Sequence, residues 1–465
     1  MQKEIYEKRR TALRKSILSG GVVIFPSNND SPMNYPANTY RYRQDSNFAY
    51  FFGKMRDGLV GVIDLDSQTD LLFGDSYTID DIIWMGNQPS VEELAAASGI
   101  HAVRPKENLS EFIKNALVEG RNVHYLPPFR DDTRLFLSRI INIPVEDVKN
   151  RASQELIEAV VDLRLIKDEE EIAEMDAICD TGVEMHLSVI KNCRPGVSER
   201  LLAGMAEGIA LSYGAGVSFP IILSQNGETL HNHDHSQILT AGRLLLADMG
   251  AESVSGYSSD FTRTVPVSGK FSEEQLAIYN IVLRANLESI GMARVGIPYR
   301  TVHNNACTVI AEGLGRLGLM KGDPVAAVEA GAHALFMPHG LGHALGMDVH
   351  DMEGLGENNV GYDSDIRRSD IFGHSSLRFG RTLREGHIVT VEPGIYFIPQ
   401  LIDLWASKNA FSEYINYDRV RKYIGFGGIR IEDDILITAD GCRILGKALP
   451  KFPEEIENLM ARATN

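Results

Sequence analysis

Apolar and polar positions alternate in two different ways along the chain. In the first third, GGVVIFPS and LVGVIDLD are short β-branched runs, the second closed by the turn-rich DSQTD, while DDTRLFLSRIIN carries its apolar residues at helical spacing. Strands alternating with helices predict a small α/β domain. From Asp168 the pattern changes. Acids fill the first turn behind Asp168 as N-cap, and Ile172, Met175, Ile178, Val183, Met185 and Leu187 recur at helical spacing until Arg194-Pro195-Gly196 stops the run. A second helix is expected from Ser198, and others over 272–294 and 300–318. Beyond residue 215, GRLLLADMG, SSDFTRTVPVSG, GHIVTVEPG and GGIRIEDDILIT are short, β-rich and bounded by glycine or proline. The pattern predicts an α+β chain: an α/β domain over 1–167, then a larger domain over 168–465 with a substantial antiparallel sheet. There is no internal repeat or low-complexity tract.

Two domains suit a chain of 465 residues, since a single core of that length is uncommon. With 44% hydrophobic and 23% charged residues the composition is that of an ordinary globular protein. The 63 acids against 46 bases give a formal charge of −17, which repels a phosphate backbone or anionic lipid, so neither nucleic acid nor a membrane is expected as partner. The four cysteines (Cys179, Cys193, Cys307, Cys442) form no CxxC pair and read as free thiols in a reducing compartment. MQKEIYEKRRTALRKSILSG lacks the apolar core of a signal peptide, and no apolar run is long enough to span a bilayer. These features predict a cytoplasmic enzyme.

The candidate chemistry sits at strand ends. In RLLLADMG, alternation puts Leu244, Leu246 and Asp248 on one side, and about a dozen residues later SSDFTRT opens another strand at Asp260. A turn containing Gly256 would leave the two carboxylates side by side. Each alone reads more readily as a turn or capping aspartate. In HIVTVEPG, Thr390 and Glu392 share a face, and in GGIRIEDDILIT so do Arg430 and Glu432. A single such acid is explained by a solvated sheet face. Acids on several apolar strands are costly unless paired or bound to a cation. MPHGLGHALGMDVHD adds His339, His343 and His350 in a segment too rich in glycine for a helix, and TLHNHDHS adds His231, with His233 and His235 beside it as an adventitious metal trap. Four carboxylates and an imidazole exceed what one divalent ion needs and suit two ions sharing bridging oxygens. GFGG at 425–428 precedes a strand and lacks the Lys and Ser/Thr of a phosphate loop, so it reads as a turn.

The strings LLLADMGAE, SDFTRTVPVSGKFS, MPHGLGHALGMDVHD, VTVEPGIYF and GGIRIEDDILIT, in this order from about Ile166 onward, resemble the pita-bread metallopeptidases, in particular the Xaa-Pro aminopeptidases (aminopeptidase P) and prolidases. YRYRQDSNFAYFFG and IIWMGNQPS resemble their accessory N-terminal domain. The resemblance implies a C-terminal pita-bread catalytic domain that cuts the bond before proline in peptide substrates. It implies Asp248, Asp260, His343, Glu392 and Glu432 as ligands of two divalent ions, manganese first, with cobalt or zinc as alternatives. Asp260 and Glu432 would bridge both ions, Asp248 would serve one, and His343 and Glu392 the other. Glu392 would also be the general base. His231, His339 and His350 would line the substrate side, Arg430 would support the site, and Tyr396 would line the proline pocket. A homo-oligomer, dimer or tetramer, is expected. The stretch MGAESVSGYSS is one residue longer than the family's usual spacing between the two aspartates, and the turn is expected to absorb the extra residue.

Within this family the motifs fit both an aminopeptidase acting on longer peptides and a dipeptidase. SLRFGRTLREG, with Arg378 as a candidate for gripping a free carboxylate, and the insert FIPQLIDLWASKNAFSEYINYDRVRKY are more prolidase-like. Aminopeptidase is the broader expectation. A metal-free binding protein of the same fold is the competitor from another class, and five intact ligand positions argue against it. A methionine aminopeptidase fits the large N-terminal domain less well.

Overall fold

The computed structural model describes residues 1–462. Met1–Arg164 and Met352–Asn359 form one compact unit, and Leu165–Asp351 with the chain from Val360 onward form a second.

The first unit is built on a mixed five-stranded sheet. Strands β1 (Val22–Pro26), β2 (Val60–Asp64), β3 (Thr69–Phe73), β4 (Ala102–Arg104) and β5 (Val123–His124) lie in the order β4-β3-β2-β1-β5. The central pairs β1/β2 and β2/β3 are antiparallel, and the outer β4 and β5 run parallel to their neighbours. Period-two alternation sends Val22, Ile24, Val60 and Val62 to one face, where Leu109, Ile113, Leu137 and Ile141 from helices Asn108–Val118 and Asp131–Ile141 join the same core. The strand–helix alternation of the sequence thus becomes a helix-covered sheet.

The second unit opens with the long helix Glu169–Asn192, whose N-terminus is closed by a reciprocal capping box between Asp168 and Glu171. It ends just before Arg194-Pro195-Gly196, and Glu199–Tyr213 packs back against it. Strands β6 (Ile222–Ser224), β7 (Leu244–Met249) and β8 (Phe261–Pro266) form an antiparallel sheet with β7 in the middle. A second antiparallel sheet holds β9 (Ile388–Val391), β12 (Asp433–Thr438) and β13 (Gly441–Ile444), with β12 central. Between them β10 (Gly394–Tyr396) pairs with β11 (Gly428–Arg430). A single antiparallel bridge, Thr262 to Glu432, joins the two sheets. One flank of β7 and β8 is covered by helix Glu169–Asn192, and Glu273–Met292 packs on β9, β10, β11 and β13.

Every residue of β7 and β8 is buried, so the sheet has no broadly solvated face. The β7/β8 register is uninterrupted: Asp248 faces Thr262, Met249 faces Phe261, and Glu252 still bridges Ser258 in the same frame. There is no bulge on the way from Asp248 to Asp260. The chain reverses in a turn at 253–257, where Gly256 takes φ 97° and the Tyr257 N–H donates to Ser253 Oγ.

Candidate metal centre

Three strand pairs and one irregular strap bring the acids together. Asp248 on β7 faces Thr262 on β8, and Asp260 lies two residues before Thr262, so period two puts all three on one side. The Thr262–Glu432 bridge carries the same side across to the junction of β11 and β12. Glu392 follows the end of β9. Asp248, Asp260 and Glu432 are 7%, 5% and 2% exposed.

The strap is the glycine-rich segment around His343. It runs beside β9: the Thr390 N–H donates to His343 O (3.0 Å), the Glu392 N–H to Leu341 O (2.8 Å), and the His343 N–H to Thr390 Oγ1 (3.1 Å). A Cβ on Gly342 would lie 2.0 Å from Thr390 O, so only glycine permits this approach. The strap fixes His343. Its Nδ1–H donates to Ala344 O (3.0 Å), which leaves the Nε2 lone pair facing Asp260 Oδ2 at 3.4 Å and Glu392 Oε1 at 3.8 Å. Asp260, His343 and Glu432 each offer a ligating atom, all within 4.8 Å of one another.

The electrostatics call for a cation. Burial pushes the Asp260, Glu392 and Glu432 carboxyls above the usual carboxylate range, and neighbouring negative charges push in the same direction. Asp248 Oδ1 and Asp260 Oδ1 are buried and have no hydrogen-bond partner. Arg430 is held inside the cluster: its Nη2 donates to Asp248 Oδ2, its Nε to Thr262 Oγ1 (3.1 Å) and its Nη1 to the Tyr396 hydroxyl (2.8 Å). Carboxylate oxygens left without donors, beside one imidazole lone pair, form a donor set suited to hard or borderline divalent ions.

The acids form the floor of a cavity of about 590 Å³. His231, His339, His350 and Arg378 line it, as does His233, and Phe219, Pro220, Ile222, Leu230 and Val349 make an apolar wall. The His350 ring lies 4.3 Å, centroid to centroid, from that of His343. His339 has both nitrogens engaged: Nδ1–H donates to Gly340 O (2.7 Å) and Nε2 accepts from the Tyr396 hydroxyl (2.9 Å). Burial, helped by Arg430, lowers the His339 imidazole to about 3, and the same two causes lower His231. Tyr396 is not on the cavity surface. It is fully buried beneath it, packed with Ile222 and Leu246, and its hydroxyl links His339 to Arg430.

Three residues that hold this centre together were given no role by the sequence. Thr262 Oγ1 donates to Glu432 Oε2 at 2.6 Å. Thr390 Oγ1 anchors the strap. Asp434 accepts the Asp260 N–H at 2.9 Å. The two threonines had a signal, since each lies two positions from a candidate acid. Asp434 lies two positions from Glu432 and carried the same signal, but nothing in the sequence tells its role from that of Asp433, which instead pairs with Arg263 and Lys451.

Residues 173–439 match metallopeptidase family M24, and residues 6–125 match the N-terminal domain of aminopeptidase P. The probable Xaa-Pro aminopeptidase of Ajellomyces capsulatus (strain H143) is 33% identical over 435 residues, covering 90% of this chain and 88% of that protein. The Xaa-Pro dipeptidase of Homo sapiens is 30% identical over 465 residues, covering 97% and 91%. Among solved structures, zinc-substituted E. coli aminopeptidase P in complex with product superposes with a TM-score of 0.81 at 27% identity, covering 100% of this chain and 99% of that one.

Proposed function

The chain belongs to metallopeptidase family M24, and from that premise we propose that it is a hydrolase cutting the peptide bond before proline, releasing the N-terminal residue of Xaa-Pro peptides. The observation that carries this reading is the convergence of Asp248, Asp260, Glu392, Glu432 and His343 Nε2 on the floor of a cavity with an apolar wall.

In this reading Asp248, Asp260, His343, Glu392 and Glu432 would hold two divalent ions. Manganese is the proposed native metal, and cobalt and zinc suit the same donors. Bound cations of this kind polarise a carbonyl and make water acidic at neutral pH. Glu392 takes the proton of the attacking water. His231 and His350 meet the substrate at the cavity surface and donate to the oxygen on which charge develops. His339, with its nitrogens committed, acts through its ring and through Tyr396. Arg430 holds Asp248, Thr262 and Tyr396 in place. The apolar wall suits the pyrrolidine ring of proline.

Arg378 favours a second reading of the same site. It lines the cavity, and its charge acts on Glu392. A guanidinium there would grip the carboxylate of a C-terminal proline and restrict the enzyme to dipeptides. The finer expectations of a cytoplasmic homo-oligomer stand with the family resemblance. Among the described residues no helix is long and apolar enough to cross a membrane.

The test is hydrolysis after metal stripping and reconstitution, comparing Xaa-Pro dipeptides, Xaa-Pro-Yaa peptides and controls lacking proline at the second position. Metal-dependent cleavage of Xaa-Pro-Yaa is expected. Cleavage of dipeptides alone would favour the second reading. Equal cleavage of the controls would overturn both.

A further inference from the structure

Outside the cavity the second unit contains another cluster of ligating side chains. His303 and Cys307 lie one turn apart on helix Tyr299–Arg316, His333 on the turn Ala332–Leu335, and His374 on the turn His374–Ser376. His303, Cys307 and His333 are 0% exposed, and their ligating atoms lie within 4.8 Å of one another. None of the four lines the cavity of the acidic centre.

A hydrogen-bonded reading explains three of them. The Cys307 thiol would donate to His303 Nδ1 (Sγ lies 3.8 Å from Nδ1 and 3.7 Å from Nε2), His303 Nε2–H to His374 Nδ1 (3.2 Å), and His374 Nε2–H to Val328 O (2.8 Å). His333 has no place in that chain. Its ring centroid lies 4.6 Å from that of His374 and 6.3 Å from that of His303, and neither of its nitrogens makes a hydrogen bond of ordinary geometry. The His333 ring interacts with the Val328 carbonyl, which already accepts from His374, and this leaves a ring lone pair unused in a buried site, which demands another explanation.

The spacing supplies one. Zinc–nitrogen bonds near 2.0–2.1 Å and zinc–sulfur bonds near 2.3 Å, arranged tetrahedrally, put ligand atoms about 3.4–3.6 Å apart. The observed separations of 3.7 Å and 3.2 Å bracket that range. His374 Nε2–H is fixed on a backbone carbonyl, which directs its Nδ1 lone pair inward, as is usual for a metal-bound histidine.

We propose that His303, Cys307 and His333, with His374 as fourth ligand, form a separate closed site for one borderline divalent ion such as zinc. Binding replaces the thiol proton, which leaves to solvent, with a thiolate–metal bond. Four protein ligands leave no open position, so the role is structural. The ion would tie the helix and the two turns together beside the root of the catalytic strap, since the Met337 N–H donates to His333 O just ahead of His339.

The experiment uses the full chain, stripped with a chelator and reloaded with Co(II). A thiolate ligand gives Co(II) an intense sulfur-to-metal charge-transfer absorption in the near ultraviolet. The acidic centre has no thiol and cannot produce it, so the readout does not depend on the proposed activity. One equivalent of Co(II) carrying this absorption is expected in the wild type and in Cys442→Ala, which removes the more accessible thiol. It is expected to vanish in Cys307→Ser and to weaken strongly in His333→Gln. Absence of the absorption in the wild-type protein, which needs no variant to fold, would overturn the proposal. So would its persistence in Cys307→Ser.

Discussion

Thr262 gives a sharp test of how the acidic centre is held. Its hydroxyl donates to Glu432 Oε2 at 2.6 Å and accepts from Arg430 Nε at 3.1 Å, and the residue is fully buried. Thr262→Val keeps the branched shape that suits β8 and removes both bonds. A hydrogen bond to a charged partner contributes about 1.5–3 kcal/mol. Arg430 keeps the Tyr396 hydroxyl and Asp248 Oδ2, so most of its position survives, whereas Glu432 loses the bond that orients it. The expected cost is therefore that of one charged hydrogen bond rather than two. Losing an outer partner of a metal ligand weakens metal affinity or activity about 10–100-fold, and at 1.4 kcal/mol per decade that is about 1.4–2.8 kcal/mol, in agreement. The assay is competition for the metal against a chromophoric chelator, together with kcat/KM on an Xaa-Pro-Yaa peptide at saturating metal. Thr262→Ser, which keeps the hydroxyl, should recover most of both. Wild-type metal affinity in Thr262→Val would refute the reasoning. Equal damage in the serine variant would show that packing, not the hydrogen bond, is what matters.

His343→Ala should lose metal, whereas His350→Ala should retain it and lose turnover by about 10²–10³-fold if His350 stabilises the developing oxyanion; metal analysis beside kcat separates them, and equal metal loss would show the roles wrongly divided. Arg378→Ala should raise KM for Xaa-Pro dipeptides far more than for longer peptides if it grips a terminal carboxylate, and an effect independent of length would make Arg378 structural. His387 is buried among Lys167, Arg384 and Arg381, and burial first, then those charges, lower its imidazole to about 3. The unfolded chain binds a proton at this position below its ordinary value and the folded chain does not, so stability is present above that value and falls as pH drops, by about 1.4 kcal/mol per unit below ~6.5. His387→Asn, whose side-chain oxygen can still accept the Arg384 N–H, should flatten the urea-measured slope between pH 6 and 4 by that share, and an unchanged slope would contradict it.

The acids were legible because strand alternation is a local rule. Leu246 and Asp248 share a side in the sequence and in the fold, where Leu246 packs on Ile222 and Tyr396. The long helix was legible too, because Asp168 and Glu171 cap it within one turn. What could not be read was anything set by contact across the fold. The family resemblance put Tyr396 at the proline pocket, whereas its contacts to His339 and Arg430, set by its pairing with Gly428, could not be read from the local pattern. The strap looked like a loop bearing histidines. Its role as an irregular partner of β9 depends on the clearance between Gly342 and Thr390, which no local pattern encodes. His303, Cys307, His333 and His374 come from three separate segments with no motif spacing, and only folding brings them together.

The arrangement also explains where this chain can absorb an extra residue. Asp260 and Thr262 face the acids, and Phe261 between them faces the long helix, where Gly182 leaves room for its ring and His186 Nε2–H donates to its carbonyl at 2.9 Å. A slip of one residue would send Asp260 into that apolar layer and put the Phe261 ring among the carboxylates. The Thr262–Glu432 bridge would pass the error to the second sheet, because Glu432 takes its position from Thr262 through both the backbone and the hydroxyl. The turn at 253–257 lies beyond the last bridge, Glu252 to Ser258, so a change of length there alters no parity. A length change placed in the turn is therefore expected to preserve the pairing that gathers the acids on one side.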